Sequence, residues 1–228
     1  MIIKSIDFMK RGFKMDGFIS EETKAKLKGS KTEQNLKDAF AGQSMAQTKY
    51  RMFSDVAKEE GYEQISEIFM KTAGNEKEHA EVWYKILHDG LGDTLANLKD
   101  AVSGETHEHT SMYPDYAKIA KEEGFDDIAK LFEQAAKIER SHQMRYGELE
   151  KNIEEDRVFK KDQPVVWECR NCGNRVYVKE APERCPFCGY PQGFSSCLVI
   201  IIKKQIRYLI CFFIKYLDLF PINRNILV

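Results

Sequence analysis

Residues 50–80, "YRMFSDVAKEEGYEQISEIFMKTAGNEKEHA", return in altered form at residues 113–143 as "YPDYAKIAKEEGFDDIAKLFEQAAKIERSHQ". The chain therefore contains an internal repeat, shifted by 63 residues. Phe53 matches Tyr116, Val56 matches Ile119, Ile65 matches Ile128, Ile68 matches Leu131 and Phe69 matches Phe132. Spacings of three, four and seven between such positions mark one face of a helix. Gly61 and Gly124 follow Lys-Glu-Glu in both copies, where a helix ends in the left-handed conformation that glycine tolerates. Each copy reads as a helical hairpin.

Ser30-x-x-Glu33 has the form of a capping box, which predicts a first long helix over 31–60. Further helices are expected over 62–88, 94–123 and 125–153, and two such hairpins make a four-helix bundle. Helical periodicity then stops, and Pro164 followed by Val-Val-Trp suggests a strand entering a metal knuckle. The boundary falls near Asp156. This divides the chain into an extension without motif (1–27), a helical domain (28–156), a small cysteine module (157–197) and an apolar tail (198–228).

Composition excludes some functions. The 228 residues carry a formal net charge of −1, which gives no electrostatic reason to expect nucleic acid as a partner. The opening run "MIIKSIDFMKRGF" is broken by Lys4 and Asp7 and makes a poor secretory signal, so a cytoplasmic location is expected, and Met15 is an alternative start. The tail, "LVIIIKKQIRYLICFFIKYLDLFPINRNILV", is interrupted by Lys203, Lys204, Arg207, Lys215 and Asp218, which argues against a membrane span. An interfacial helix is one reading of it; a reading-frame artefact or a poorly packed extension is the preferred one.

The repeat also carries chemistry. Glu76-x-x-His79 and Glu139-x-x-His142 occupy equivalent places, and residues three apart on a helix share a side, so each pair can grip one metal. A lone pair of this kind is ordinarily a solvated one; its recurrence, and the presence of Glu105 and Glu108 on the third helix, favour a metal site. Carboxylates bridge hard ions and imidazole suits iron, so the set describes a di-iron or di-manganese carboxylate bundle.

Cys169-x-x-Cys172 and Cys185-x-x-Cys188 are each followed by glycine, Gly173 and Gly189, a strong signal for a tetrahedral thiolate site. The spacing suits zinc and iron alike. A di-iron centre needs electrons delivered singly, which favours iron. Trp167 and Tyr177 are expected to pack as the module's core, and Cys197 and Cys211 are read as plain thiols.

"KGSKTEQNLKDAFAG", "NEKEHA", "GETHEHTSMYP" and the four-cysteine module, in this order, resemble the rubrerythrin family over residues 28–194. The resemblance implies a mainly α fold: a ferritin-like four-helix bundle, then a small rubredoxin-like module of zinc-ribbon type. It implies two cofactors, a non-haem di-iron centre and a mononuclear iron bound by Cys169, Cys172, Cys185 and Cys188. It further implies bridging by Glu76 and Glu139, terminal ligation by Glu105 and His142, and redox-dependent exchange between Glu108 and His79. Tyr50 and Tyr113 match tyrosines that stand behind the ligands in the family; plain core filling is the other reading. Where the family has a ligating glutamate, this chain has Gln43. Four carboxylates then balance two ferrous ions, so Gln43 is expected to raise the reduction potential and weaken retention of its own iron, with Glu108 partly compensating.

Only "DGLGD", residues 89–93, reads as loop between the hairpins. Five extended residues reach about 17 Å, whereas a crossover along helices of about 25 residues must travel roughly 35 Å. Either the stretch to Ser103 unwinds or the hairpins of one bundle come from different chains, which predicts a hairpin-swapped homodimer. The expected activity is an NAD(P)H-linked peroxidase: hydrogen peroxide is the substrate, and a rubredoxin or reductase is the electron donor. Ferritin-like iron handling and a non-enzymatic metal scaffold are the alternatives.

Overall fold

The structure is a computed structural model and describes residues 19–198. The expectations about the first residues, about Met15, about Cys211 and about the tail beyond Leu198 lie outside them. A short helix α1, Glu21–Leu27, stands where the sequence reading saw no motif; the Ser20 hydroxyl caps it by accepting the Thr23 N–H at 3.2 Å. The long elements are α2, Lys31–Glu59, and α3, Glu63–Leu87, followed by α4, Thr94–His107. A π-helical segment, Glu108–Met112, joins α4 to α5, Tyr113–Glu122, and α6 spans Asp126–Glu154. The four expected helices are therefore present, each end within one residue, but the third is interrupted.

Capping explains where these helices begin and end. At α2 the Ser30 hydroxyl accepts the Glu33 N–H at 3.1 Å, while the Glu33 carboxylate reaches one residue further out than in a standard capping box and accepts the Gly29 N–H at 2.6 Å. Lys37 first, and then this amide, hold the Glu33 carboxyl below the usual range. At the other end Gly61 has φ 82°, and Tyr62 N–H reaches Ala57 O at 2.8 Å while Gly61 N–H reaches Lys58 O at 3.1 Å. The second hairpin repeats this turn with Gly124, φ 84°, and bonds from Phe125 to Ala120 at 2.7 Å and from Gly124 to Lys121 at 3.1 Å. These are paired Schellman closures.

The described residues divide into two compact units between Asn97 and Leu98. In the first, α2 and α3 meet along small residues: Ser54, Ala57, Ser66, Ala73 and Ala80 are buried. In the second, α5 and α6 meet along Ala117, Ala120 and Ala129. Small side chains let the helix axes approach closely, which is why these positions and not the larger ones form the seam. The matched large apolar residues lie on another face in both units. Phe53, Val56, Ile65 and Ile68 are 45–58% exposed, and Tyr116, Ile119, Ile128 and Leu131 are 45–63% exposed.

Three antiparallel strands make up the cysteine module: β1, Lys160–Cys169, β2, Arg175–Glu180, and β3, Ser195–Cys197, in the order β2-β1-β3. Pro164 sits in the irregular stretch of β1, between the Lys160 and Val165 pairings, where a missing N–H breaks no ladder bond. Trp167 is 2% exposed and packs with Ala181, Cys197, Phe159, Val165 and Val176, its indole N–H donating to Val178 O at 3.1 Å. Tyr177 corrects the sequence reading. At 70% exposed it is no part of this core, because the alternation of β2 turns Val176 inward and Tyr177 outward. Among the described residues no helix is long and apolar enough to cross a membrane.

Ser54 and Ser66 are the buried polar pair of the first seam. The Ser54 hydroxyl lies 2.9 Å from Ser66 O and 2.8 Å from its Oγ. The repeat places Ala117 and Ala129 at the same two positions. Ser54→Ala alone is expected to cost about 1–2 kcal/mol, because it strands a buried hydroxyl, whereas the double change to alanine recovers most of that loss. Urea midpoints of the two single variants and the double variant check this.

Candidate metal centres

In the second unit α4 and α6 bring three groups together. Glu105, Glu139 and His142 each offer a ligand atom, all within 4.8 Å of one another. His142 Nδ1 stands 2.7 Å from Glu139 Oε2 and 3.5 Å from Glu105 Oε2. The Glu139–His142 pair follows from its three-residue spacing on α6. Burial raises the Glu105 carboxyl above its usual range; His142 opposes this, and Glu139 and Glu108 add to it. Glu105 Oε2 is buried with no hydrogen-bond partner. A buried carboxylate oxygen left unsatisfied beside a second carboxylate and an imidazole is what a divalent cation would complete, so this donor set fits the iron implied by the sequence.

The first unit holds the counterpart. His79 Nδ1 lies 3.2 Å from Glu76 Oε2 and 3.4 Å from Gln43 Oε1. The two triads correspond residue for residue, but only if Gln43 is matched to Glu105, a shift of 62 and not the 63 that relates Tyr50 to Tyr113. The π-helical segment supplies the extra residue. It rotates everything before it by one position, so that Glu105 and not Thr106 faces His142. Pro114 gives a local cause: it has no N–H to donate, and its ring would press on the carbonyl four residues back in a regular helix. The sequence reading missed this element, although Gly42-Gln43 against Gly104-Glu105 carries the signal.

Glu108, at the start of the π segment, acts electrostatically on Glu105 and Tyr113 but is not one of the three converging groups. Tyr113 is half-buried. Desolvation, then Glu139 and Glu108, push its phenol above the usual range, so it keeps its proton. Tyr113 packs with Tyr116 and Phe132 at ring separations of 6.4 and 6.1 Å, and Tyr50 packs with Phe53 and Phe69 at 6.2 and 6.1 Å. Both tyrosines thus belong to repeated aromatic clusters, and Tyr113 also feels the charge of the carboxylates.

The four cysteines converge as their spacing requires. Sγ of Cys169 and Cys188 are 3.7 Å apart, and those of Cys172 and Cys185 are 3.6 Å apart. These separations are far too long for a disulfide but match the edge of a tetrahedron of sulfurs about 2.3 Å from a central ion. Two knuckles of one design hold them: Gly173 and Gly189, at φ 75° and 72°, turn their N–H groups back to Cys169 O and Cys185 O, each at 2.8 Å. The Tyr190 amide holds the Cys188 thiol down at about 6, and the Cys188 amide, then that of Phe187, lowers Cys185. The Asn174 amide favours the Cys172 thiolate, but desolvation and the crowding cysteines outweigh it and push that thiol up to about 12. An ion at the centre removes this conflict by accepting all four sulfurs as thiolates. Cys197 is a separate buried free thiol.

A repeated helical hairpin bearing carboxylate–imidazole triads, joined to a tetrathiolate knuckle, defines a carboxylate-bundle metalloprotein with its own iron–sulfur module. The rubrerythrin model matches residues 34–150, and the model of the rubrerythrin rubredoxin-like domain matches residues 167–194. Rubrerythrin of Porphyromonas gingivalis is 44% identical over 76% of this chain and 92% of its own. That of Clostridium perfringens is 47% identical over 74% and 94%, and that of Nitratidesulfovibrio vulgaris 44% identical over 76% and 97%. A solved structure of nigerythrin in a mixed-valence state aligns at 30% identity over 73% of this chain and 86% of its own, with a TM-score of 0.28, too low to speak of shape. The chain belongs to the rubrerythrin family. Its cofactors are accordingly a non-haem di-iron centre and a mononuclear iron held by Cys169, Cys172, Cys185 and Cys188.

Asn171 Nδ2 donates to Cys188 Sγ at 3.6 Å. Hydrogen bonds to sulfur favour the reduced, more negative state of a thiolate-bound iron. Asn171→Ala is therefore expected to lower the reduction potential of the tetrathiolate iron without loss of metal, as read by a redox titration of its visible absorption.

Proposed function

We propose that this protein is an oxidoreductase that reduces hydrogen peroxide to two molecules of water, consuming two electrons and two protons. The observation that carries the reading is the presence of both triads and an electron-accepting tetrathiolate module on one chain; iron storage needs no such inlet. When bound, the di-iron pair supplies the two electrons that break the O–O bond, as metal centres do in such reductions. The chain's own residues do the rest. Gln43, Glu76, His79, Glu105, Glu139 and His142 would hold the irons, and Glu108 would exchange with His79 as a ligand. Tyr113 keeps its phenol proton beside Glu139 and Glu108 and orients the substrate by donating a hydrogen bond; Tyr50, at the matching position of the first hairpin, is assigned the same orienting role.

Cys169, Cys172, Cys185 and Cys188 would hold the iron that takes up electrons singly, supplied from NAD(P)H through a reductase or a rubredoxin. The domains we assign are 28–156 for the di-iron bundle and 157–197 for the electron inlet, with 1–27 and 198–228 as flanking segments. The four metal-ligating thiols suit a reducing compartment, in keeping with a cytoplasmic protein.

The bundle is, in our reading, assembled from two chains. The matched apolar faces of the hairpins are exposed, and each needs a second hairpin to cover it. Thr94–Ser103 is helical, which supports residues 88–93 as the connection. Six residues reach about 20 Å, and helices of 25 to 29 residues run roughly 37–43 Å. A hairpin-swapped homodimer meets that limit.

Two experiments test these readings. After anaerobic reduction, a peroxide pulse is expected to oxidise the di-iron chromophore rapidly and to allow full recovery on re-reduction; slow growth of ferric mineral would instead indicate storage. For the swap, Glu76→Ala and Glu139→Ala chains are each expected to lack a competent di-iron centre. Mixed and refolded together, they should regain one good centre of the two in each mixed dimer, since exchange unites the intact hairpins. No recovery on mixing would place both hairpins of a bundle on one chain.

A further inference from the structure

The two triads share one geometry and differ in one charge. His142 Nδ1 faces Glu139 Oε2 at 2.7 Å and Glu105 Oε2 at 3.5 Å; His79 Nδ1 faces Glu76 Oε2 at 3.2 Å and Gln43 Oε1 at 3.4 Å. The repeat equates Glu76 with Glu139 and His79 with His142, and the π segment brings Glu105 into the place of Gln43. The chain thus contains its own control. A cation in the second triad meets two carboxylates and an imidazole. A cation in the first meets one carboxylate, an imidazole and a neutral amide oxygen.

Coulomb attraction to an ion falls by a full unit of charge between the triads, and it does so at half-buried positions, where solvent compensates only partly. An amide oxygen also binds a hard cation less firmly than a carboxylate does. Burial does not offset this, because the His79 side chain is 57% exposed against 33% for His142. We propose, resting on the di-iron reading above, that the two metal positions are unequal. The ion held by Gln43, Glu76 and His79 is labile and exchanges with other divalent cations; the ion held by Glu105, Glu139 and His142 is retained. Gln43 is then the residue that sets this selectivity. A side chain that stands where its repeat partner is a glutamate converts a pseudo-symmetric pair of positions into one fixed and one exchangeable site.

The test is metal retention in the full-length protein, which requires no turnover. Protein loaded anaerobically with ferrous iron is challenged with EDTA. Iron is counted by elemental analysis over time, and the cysteine-bound iron is counted separately in withdrawn samples, reoxidised so that its ferric form absorbs in the visible. Wild type is expected to lose about one carboxylate-held iron per chain on the order of ten- to a hundredfold faster than the other, the range that a lost supporting interaction costs. Gln43→Glu should abolish the fast phase, a gain that misfolding cannot mimic. Glu105→Gln should make both ions fast, and its helical circular dichroism reports whether it has folded. Competition with zinc should replace only the fast iron in wild type and neither in Gln43→Glu. Equal loss rates for both irons in wild type, or a fast phase unchanged in Gln43→Glu, would overturn the inequality while leaving the di-iron reading in place. Absence of carboxylate-held iron in wild type and Gln43→Glu alike would overturn both.

Discussion

Everything in the helical part of this protein depends on holding unneutralised carboxylates close together beside an imidazole. Glu105 Oε2 is buried without a hydrogen-bond partner, its carboxyl is pushed upward by that burial, and Glu139 and Glu108 stand near enough to push it further. A helical hairpin tolerates this only because its own seam is made of small residues that interlock without help from the site. Ala117, Ala120 and Ala129 do so in the second hairpin, and Ser54, Ala57, Ser66 and Ala73 in the first. The scaffold therefore packs where it carries no chemistry, and the chemical face stays unsatisfied until cations arrive. Metal binding is then a contribution to folding as well as to function.

The internal repeat makes the design easy to compare with itself. Glycine-closed turns, aromatic clusters and acid–imidazole pairs recur with nearly the same distances, which means that the backbone path was duplicated along with the side chains. The departures from symmetry are informative. A π segment displaces the start of the third helix by one residue, bringing Glu105 into register and placing Glu108 where the first hairpin has no counterpart. The hydroxyls of Ser54 and Ser66 replace two alanines without altering the seam, because they satisfy one another. Gln43 replaces a glutamate and alters the charge of the site. Two of these three changes touch the chemistry, and both lie just ahead of the duplicated segments, which begin at Tyr50 and Tyr113.

The cysteine module solves a smaller problem by similar means. Two knuckles with matching hydrogen bonds aim four sulfurs at one point, and backbone amides favour the thiolate at Cys185 and Cys188 while crowding disfavours it at Cys172. With few apolar side chains available, a single Trp167 core and the tetrathiolate ion together hold three short strands. That suits the electron inlet proposed for it, since a rigid shell of sulfurs changes little between oxidation states.

Sequence alone established the helix boundaries, the hairpin repeat, the acid–imidazole pairs and the four-cysteine knuckle. Each is encoded by residues close together in the chain: a capping serine, a glycine at a positive φ, a three-residue spacing, a paired Cys-x-x-Cys. It misjudged Tyr177, whose orientation depends on which side of β2 meets Trp167, and it passed over α1 and the π segment. Tertiary structure decided which side chains meet across helices: that Glu105, and not its neighbour, faces His142, that Gln43 faces His79, and that the large apolar stripes lie apart from the seam. Such contacts depend on the rotation of one helix against another. One inserted residue turns that rotation by about 100° while leaving local composition almost unchanged.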